Sequence, residues 1–421
     1  MKKTTLAIFA IITFGALFVR FWNYQELLSF HLDSPFHLLE AKAMVDSKKL
    51  SLIGPMVSTK VIYGRGFFVG PTYYYLLAIL GLLSSWNVVF ITGVFTLLWI
   101  AAYVLIFFWL TKRFAGWISL SVYALLSFYP WLVPLSRLIW NTNLIPLFAV
   151  LLFWALEERK KKLLNYFLAG AFFGLGVSFH YSALLWILVV FYYLALEVKR
   201  KQFKISSWLF FLGGIIIGDF PFLLFEARHN FYNLNTILYQ IKNFQSSVGY
   251  NFGRDYYYIL PTIPLLCKFY GVFLEKLKRF FSFRLIVFSQ VILLFFFLGK
   301  ASHARRWGVF MPDGWTLEKQ KKVTDLIIAD NEPGFEVAAT ISSDTRFYDL
   351  RWWLKQVNHE PMSVIDYDKT DFLYLVAPQS RPPEKETVWE ISALAPFRQE
   401  VKIDLGEGII FYKLRRLPKS S

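Results

Sequence analysis

The sequence predicts a mainly α-helical, polytopic membrane protein with a small α/β domain at its C-terminal end. The 421-residue chain is 56% hydrophobic and 20% aromatic, and its mean hydropathy is +0.44. Apolar residues form long runs such as TTLAIFAIITFGALFV and VVFITGVFTLLWIAAYVLIFFWL. A helix of roughly 20 such residues crosses the hydrocarbon core of a bilayer. After residue 300 these runs end, and charged residues, proline and glycine become frequent.

Basic residues determine the predicted topology. Lys2 and Lys3 precede the first run, and later basic segments lie at 112–113, 157–162, 197–204 and 275–284. Because Lys and Arg in short loops favour the cytoplasmic side, we place the N-terminus and these segments there. No small-x-small cleavage motif follows the first run, which is therefore predicted to be a retained span. Nine crossings result, at about 4–22, 88–111, 115–133, 144–156, 163–179, 182–196, 206–224, 256–274 and 282–299.

Residues 23–86 are predicted to form one large outer loop. Within it the segment 67–83 (FFVGPTYYYLLAILGLL) is apolar enough to cross, but a crossing there would move every later basic segment to the outer side. We therefore predict a helix in the outer membrane interface at 67–83.

Two domains are predicted, a transmembrane domain at 1–299 and an extracytoplasmic α/β domain at 300–421. The pattern of apolar residues in the second domain indicates one helix at 316–330. It also indicates short strands at 335–341, 371–377, 399–405 and 408–414.

The charge distribution gives no reason to infer nucleic-acid binding, and the cysteine content excludes an internal disulfide. The formal net charge is +16, but the basic clusters lie largely in loops between predicted spans, where membrane orientation explains them without nucleic acid. The single cysteine, Cys267, excludes an internal disulfide.

Polar residues collect at the predicted outer ends of several spans. Ionisable residues close to the hydrocarbon are costly and by default mark a functional site. The candidate residues are His31, Asp33, His37, Glu40 and Arg65 in the first outer loop, Arg137, Asn141 and Asn143 after the third crossing, His180 after the fifth, and Asp219, Glu226, Arg228 and His229 after the seventh.

Asp33 is the predicted catalytic residue. A carboxylate held beside a hydroxyl substrate commonly acts as a general base, and His37 would share its helix face four residues later. A structural interpretation competes with this one. In the sequence Asp-Ser-Pro, Ser34 suits the N-cap of a helix and Pro35 suits its first position, so Asp33 could simply belong to the helix start.

Other candidates also have two interpretations. Asp33, His37 and Glu40, completed by His180, could hold a divalent metal, although no dense ligand motif such as His-Glu-x-x-His is present. His180 could equally be a hydrogen-bonded residue at a helix end. Arg137 and Arg228 suit bidentate binding of phosphate, or they anchor span ends to lipid headgroups.

Several motifs together resemble one superfamily. They are an acidic residue just after the first span, the segments LLEAKAM and FVGPTYYYLLAIL, and SRLIWNTNLIPLF after the third crossing. In this order they resemble the GT-C superfamily, and most closely the family 39 glycosyltransferases, which include protein O-mannosyltransferases and lipid A aminoarabinose transferases. The resemblance covers about residues 1–235.

The resemblance implies a glycosyltransferase of a bacterial-type inner membrane, with its active site and C-terminal domain extracytoplasmic. It implies a polyprenyl-phosphate sugar as donor, inversion at the anomeric carbon, Asp33 as general base, and an acceptor that is a glycan, a lipid or a protein. No cofactor is certain, and a divalent metal stays an alternative. This chain departs from the family pattern at two places. It has Asp33-Ser34 where many members have Asp-Glu, and Asn141 to Asn143 where many have an acidic residue.

Two other classes compete with an enzyme. A transporter or flippase for a lipid-linked glycan would usually show internal repeats and polar residues near the bilayer midplane, and this sequence shows neither. A non-catalytic envelope assembly protein would use its outer domain to bind a partner and would tolerate replacement of Asp33.

Overall fold

The computed structural model describes residues 2–56, 66–159, 162–242, 259–302 and 308–418. The chain is mostly helical, at 64%, with a small sheet near its C-terminal end. It divides into two compact units. The helical unit comprises the described residues of Met1–Trp22, Ala41–Ser136 and Trp140–His303, and the C-terminal unit those of Asn23–Glu40, Arg137–Ile139 and Ala304–Ser421.

Fifteen α-helices precede the C-terminal segment within the described residues. They are α1 (Lys3–Phe21), α2 (Tyr24–Leu27), α3 (Asp33–Asp46), α4 (Thr72–Ser84), α5 (Val88–Thr111), α6 (Gly116–Ser127), α7 (Leu132–Leu135), α8 (Ile145–Glu158), α9 (Leu163–Phe179), α10 (Ile187–Lys199), α11 (Ile205–Gly218), α12 (Phe220–Arg228), α13 (Tyr232–Lys242), α14 (Ile263–Leu277) and α15 (Phe283–Ser302). Short 3₁₀ helices occupy Asn141–Leu144, Tyr181–Trp186 and Leu260–Thr262.

Each predicted crossing corresponds to helical structure, but fewer helices have the length and composition of a span. Among the described residues, four do: Lys3–Phe21, Val88–Thr111, Tyr181–Lys199 and Phe283–Lys300. The pair α11 and α12 makes a fifth if the two helices, bent by 80°, form one broken span. The count of nine crossings stays a prediction.

Local chemistry explains where the helices differ from the predicted segments. Helix α6 ends at Ser127, well short of residue 133, because Pro130 follows and disfavours helical backbone before it. Helix α4 begins at Thr72, directly after Pro71, rather than at residue 67. Whether α4 crosses the membrane or lies in its interface stays a prediction.

Glycines bring α9 and α11 into backbone contact. A Cβ atom at Gly170 would lie 1.9 Å from the carbonyl oxygen of Phe211, and one at Gly214 would lie 2.1 Å from that of Phe167. Small residues at matching positions permit such close packing of apolar helices. This contact fixes the C-terminal ends of both helices, where Ser178 and Asp219 lie.

The sheet of the C-terminal unit has four strands in the order β1-β2-β4-β3. They are β1 (Phe335–Ala339), β2 (Phe372–Pro378), β3 (Phe397–Asp404) and β4 (Ile409–Arg416). Strand β1 is parallel to β2, and β4 is antiparallel to both β2 and β3. The predicted strands are all present.

Both faces of the strands β1, β2 and β4 are covered, whereas β3 is partly exposed. Helix α16 (Leu317–Asp330) and helix α17 (Tyr348–Gln356), which connects β1 to β2, contribute Val323, Ile327 and Leu350 to the core on one face. Ile391 of the short helix α18 (Trp389–Ser392) and Tyr367 pack on the other face. Because neither face meets water, β1 and β2 are apolar along most of their length.

Candidate active site

The segment 28–33, which leads to Asp33, is held by backbone contacts inside the C-terminal unit. Ser29 donates its N–H to the carbonyl of Arg137 at 3.1 Å and forms an isolated parallel bridge with Leu138. The carbonyl of Phe30 accepts a hydrogen bond from Gln320 Nε2 at 2.8 Å. Gly308 packs so closely that an added Cβ would lie 2.7 Å from the Leu28 carbonyl oxygen. The path of this segment is therefore fixed.

His31 is buried in a hydrogen-bonded network. Its Nδ1 lies 2.7 Å from Asp349 Oδ2, and its Nε2 lies 2.8 Å from Ser342 Oγ. Asp349 Oδ2 also accepts from Trp315 Nε1 at 2.9 Å and from Gln320 Nε2 at 3.2 Å. Burial disfavours the imidazolium, but the carboxylates of Asp349, Asp344 and Asp33 together outweigh this effect, with Asp349 contributing most, and raise the pKa of His31 above its usual value.

Leu32 adopts a left-handed backbone conformation, with φ of +54°. This region is uncommon for a bulky residue and costs roughly 1–2 kcal/mol, so it persists only where the surroundings impose it. Helix α3 then begins at Asp33 itself. The prediction of Ser34 as N-cap and Pro35 as the first helical residue placed the start two residues late. The Ser34 hydroxyl instead donates to the carbonyl of Ile139 at 2.9 Å.

Asp33, His37 and Glu40 lie along the first two turns of α3. Asp33 and Glu40 are exposed, whereas His37 is buried. Burial lowers the pKa of His37 to about 4, although Asp33 acts in the opposite direction, so His37 is neutral at physiological pH. Desolvation raises the pKa of Glu40. The structure thus brings Asp33 and His37 within electrostatic reach of one another, as their spacing predicted.

The two arginines of this region differ in what the structure shows. Arg137 belongs to the same compact unit as Asp33, and it is 3% exposed. Arg65, the arginine predicted in the first outer loop, lies outside the described residues.

A second polar cluster lies in the helical unit, around Gly70. A Cβ atom at Gly70 would lie 2.0 Å from Ser178 Oγ and 2.8 Å from Asp219 Oδ1, so the backbone at residue 70 runs directly against this hydroxyl and this carboxyl. Thr72 Oγ1 lies 2.8 Å from Ser178 Oγ. Asp219 is 4% exposed and stands at the bend between α11 and α12.

Four of the predicted substrate-binding residues hold backbone groups in the helical unit. Asn141 donates to the carbonyl of Phe179, the last residue of α9, and Asn143 donates to that of Leu135. His180 Nδ1 accepts the N–H of Ser182 and caps the 3₁₀ helix Tyr181–Trp186. The structure therefore shows the helix-end role of His180 that the sequence analysis left open.

Glu226 has the most extensive structural role of the four. Its Oε1 accepts hydrogen bonds from the backbone N–H and from Nδ2 of Asn233, and its Oε2 accepts from the N–H of Leu234. These donors lie in the first turn of α13, so Glu226 satisfies N–H groups that a helix start leaves open. Asn233 Oδ1 in turn accepts from the N–H of Phe68 at 2.7 Å.

Arg228 and His229 are exposed at the end of α12. His229 stacks on Phe225 and lies, through Nδ1, 2.9 Å from the Phe225 carbonyl oxygen. The structure gives His229 a local contact and leaves Arg228 accessible.

No group of three or more His, Cys, Asp or Glu residues that could hold a metal ion occurs in the described part of the chain. Asp33, His37 and Glu40 accordingly do not form such a group.

Sequence reasoning missed the residues that support the predicted ones. Asp349, Ser342 and Gln320 are about 300 residues away from His31 in sequence, and no local motif points to such partners. Ser178 lacked any signal beyond its position at a span end. The Gly-Pro-Thr segment at 70–72 belongs to a motif that carries the family resemblance, but the sequence does not predict its contacts with Ser178 and Asp219.

No family model matches this chain, and no curated protein matches it. Among solved structures, it is similar to the crystal structure of ArnT from Cupriavidus metallidurans bound to undecaprenyl phosphate, with a TM-score of 0.55. The match covers 99% of this chain and 98% of that chain at 10% sequence identity. At this identity the likeness shows the fold alone: the chain has the polytopic fold of ArnT. The fold that the sequence resemblance implied is therefore confirmed.

Proposed function

We propose, from the ArnT fold of this chain, that it is a membrane glycosyltransferase using a polyprenyl-phosphate sugar as donor. The observation that carries the proposal is a fold match along 99% of the chain to a transferase whose structure contains undecaprenyl phosphate. We further propose that transfer takes place on the extracytoplasmic face of the membrane, and that the acceptor is a hydroxyl group on a glycan, a lipid or a protein.

Asp33 is the proposed general base. Its carboxylate is exposed at the first residue of α3, on backbone that the neighbouring contacts hold in place. It would take the proton from the acceptor hydroxyl while that oxygen attacks the anomeric carbon. The bond from this carbon to the phosphate oxygen breaks at the same time, so the configuration inverts. A positioned base typically contributes about 10²–10⁴-fold to the rate.

Arg137 is the proposed partner of the leaving phosphate. The polyprenyl phosphate gains negative charge as it departs, and a guanidinium that is already in place stabilises such charge. Arg137 shares the compact unit of Asp33, which favours it over Arg228 for this role. We propose that His37, which is neutral, and Glu40 contact the sugar, since both residues lie within two turns of Asp33 on α3. The proposal includes no resident metal ion.

The test uses purified protein in lipid nanodiscs with a panel of labelled polyprenyl-phosphate hexoses and pentoses and an envelope extract as acceptor. We expect wild-type protein to release polyprenyl phosphate and to transfer label, with EDTA leaving the rate unchanged. Asp33→Asn should lower the rate by about 10²–10⁴-fold. Asp46→Asn, the same change near the other end of α3, is the matched control and should retain activity.

The outcomes separate the competing classes. Equal turnover by wild type and Asp33→Asn would remove Asp33 as the base. Movement of the donor across the bilayer without any new glycosidic bond would indicate a flippase. Loss of turnover in EDTA that Mg²⁺ or Mn²⁺ restores would show that a metal takes part.

A further inference from the structure

We propose that the C-terminal α/β segment positions the proposed base, and that Asp349 is the positioning residue that acts through His31. The inference rests on the proposed role of Asp33. The sequence analysis gives no catalytic role to the C-terminal segment. The inference makes this segment part of the active site.

The first support is the way His31 is fixed. Its side chain is 1% exposed and contacts Asp349 through Nδ1 and Ser342 through Nε2. Three side chains converge on the same oxygen of Asp349, namely His31, Trp315 and Gln320. A carboxylate oxygen held by three partners has one orientation, and His31 therefore has one orientation too.

The second support is that neighbouring residues are fixed by the same segment. Gln320 donates to the Phe30 carbonyl, and Trp353 Nε1 donates to Gln320 Oε1 at 2.9 Å. The ring of Phe30 packs edge-on against Trp352 and Trp353. Residues 30 and 31 are thus both anchored by side chains that follow residue 300.

The third support is the chain geometry between the anchor and the base. The left-handed Leu32 separates His31 from Asp33, and on the other side Ser34 is tied to Ile139. The Asp33 backbone is consequently held on both sides while its side chain is exposed. A catalytic group must be held within about 0.5 Å of its productive position by residues that are themselves locked, and this arrangement meets that need.

The hydrogen-bond order Ser342–His31–Asp349 also occurs in hydrolytic triads, so that alternative must be weighed. In a triad the histidine accepts the serine proton. Here the side chains of His31 and Asp349 are 1% and 0% exposed, so they have almost no surface through which to serve a substrate. This burial favours an anchor over a nucleophile.

The experiment compares wild type, Asp349→Asn and the matched control Asp325→Asn, an exposed position on α16. We expect Asp349→Asn to lower kcat by about 10–100-fold, because a small displacement of a catalytic group costs about this much, with KM for the donor unchanged. We also expect faster hydrogen–deuterium exchange of the backbone amides at 30–36. The control should match wild type in both measurements. If Asp349→Asn does not fold, His31→Phe replaces it, since that change leaves Asp349 with Trp315 and Gln320 as donors.

Each outcome decides the inference. Faster exchange together with a lower kcat supports the inference. A raised KM for the donor with an unchanged kcat overturns it, and so does faster exchange with an unchanged kcat. Labelling of Ser342 by a fluorophosphonate probe also overturns it, because Ser342 would then be a nucleophile. The exchange measurement needs no substrate. One further outcome is that wild-type protein turns over no donor while Asp349→Asn still shows faster exchange at residues 30–36. That result would refute the proposed reaction and the positioning of a base, but it would show that Asp349 anchors these residues.

Discussion

Asp344 accepts the backbone N–H of Tyr348 at 3.0 Å, at the start of the helix α17 that carries Asp349. Burial raises the pKa of Asp344 to about 6, and the Asp349 carboxylate adds to this effect, whereas His31 and Arg351 oppose it. The folded protein therefore favours the protonated acid. The raised pKa of Asp344 thus makes the stability of the C-terminal unit dependent on pH.

We expect Asp344→Asn to stabilise the protein above pH 6. Because the folded pKa is raised from 3.8 to about 6, the contribution of Asp344 to stability is complete below pH 3.8 and is lost as the pH rises through 6. Asparagine keeps an oxygen for Tyr348 but cannot ionise. The free energy of unfolding should rise by roughly 1–3 kcal/mol at pH 7.5 and change little at pH 4. Unfolding temperatures measured from pH 4 to 8 check this, and an equal gain at both ends would contradict the assignment to ionisation.

Gly70→Ala should destabilise the helical unit. The new methyl group would lie 2.0 Å from Ser178 Oγ and 2.9 Å from Ser178 Cβ, and overpacking of this kind costs typically about 1–3 kcal/mol. Gly213→Ala is the control, because nothing lies within 4 Å of its added Cβ and alanine favours a helix.

Thermal unfolding in detergent measures the effect of Gly70→Ala. The same measurement on Ser178→Ala and on the double variant completes a double-mutant cycle. The smaller side chain should recover part of the loss and make the two changes non-additive. Strict additivity would show that residue 70 does not pack against Ser178.

The sequence predicted those parts of the molecule whose signal is local. The apolar runs placed α1, α5 and α15 within a few residues, and alternating or apolar patterns found all four strands. Helix α17 was missed because it is short and lies between clear strands. The contact of His31 with Asp349 spans 318 residues, and neither partner carries a periodic or motif signal.

In the candidate site, too, the predictions that rested on local spacing were more informative than those that rested on polarity alone. The first-loop spacing of Asp33 and His37 was informative, since both lie on one helix and interact. Glu226 and Asn141 were predicted to bind substrate because they are polar and near span ends. The structure shows that they satisfy backbone groups of helix termini, and their binding of substrate stays a prediction. A polar residue at a helix end serves either need, and composition alone does not distinguish them.

Glu226→Gln should therefore lower stability without altering transfer by the folded fraction. Glutamine replaces one acceptor oxygen by an NH₂ group that faces a backbone N–H, and a buried donor left unsatisfied costs about 1–3 kcal/mol. Glu275→Gln, at an exposed position of α14, is the control. Unfolding temperature and donor KM are measured together. A raised KM with unchanged unfolding temperature would restore Glu226 as a substrate-binding residue.

The buried ion pair between Glu197 and Arg159 should show a large asymmetry between single and double replacement. Glu197 is 1% exposed and also accepts hydrogen bonds from Tyr166 and Trp208. Glu197→Leu leaves the Arg159 charge buried without its partner, which costs about 3–5 kcal/mol. Adding Arg159→Met removes that charge and should recover much of the loss, because apolar replacements of a buried pair are often near neutral. Chemical unfolding of the wild type and of both variants measures this, and a double variant less stable than Glu197→Leu would mean that the arginine stabilises the fold through its other contacts.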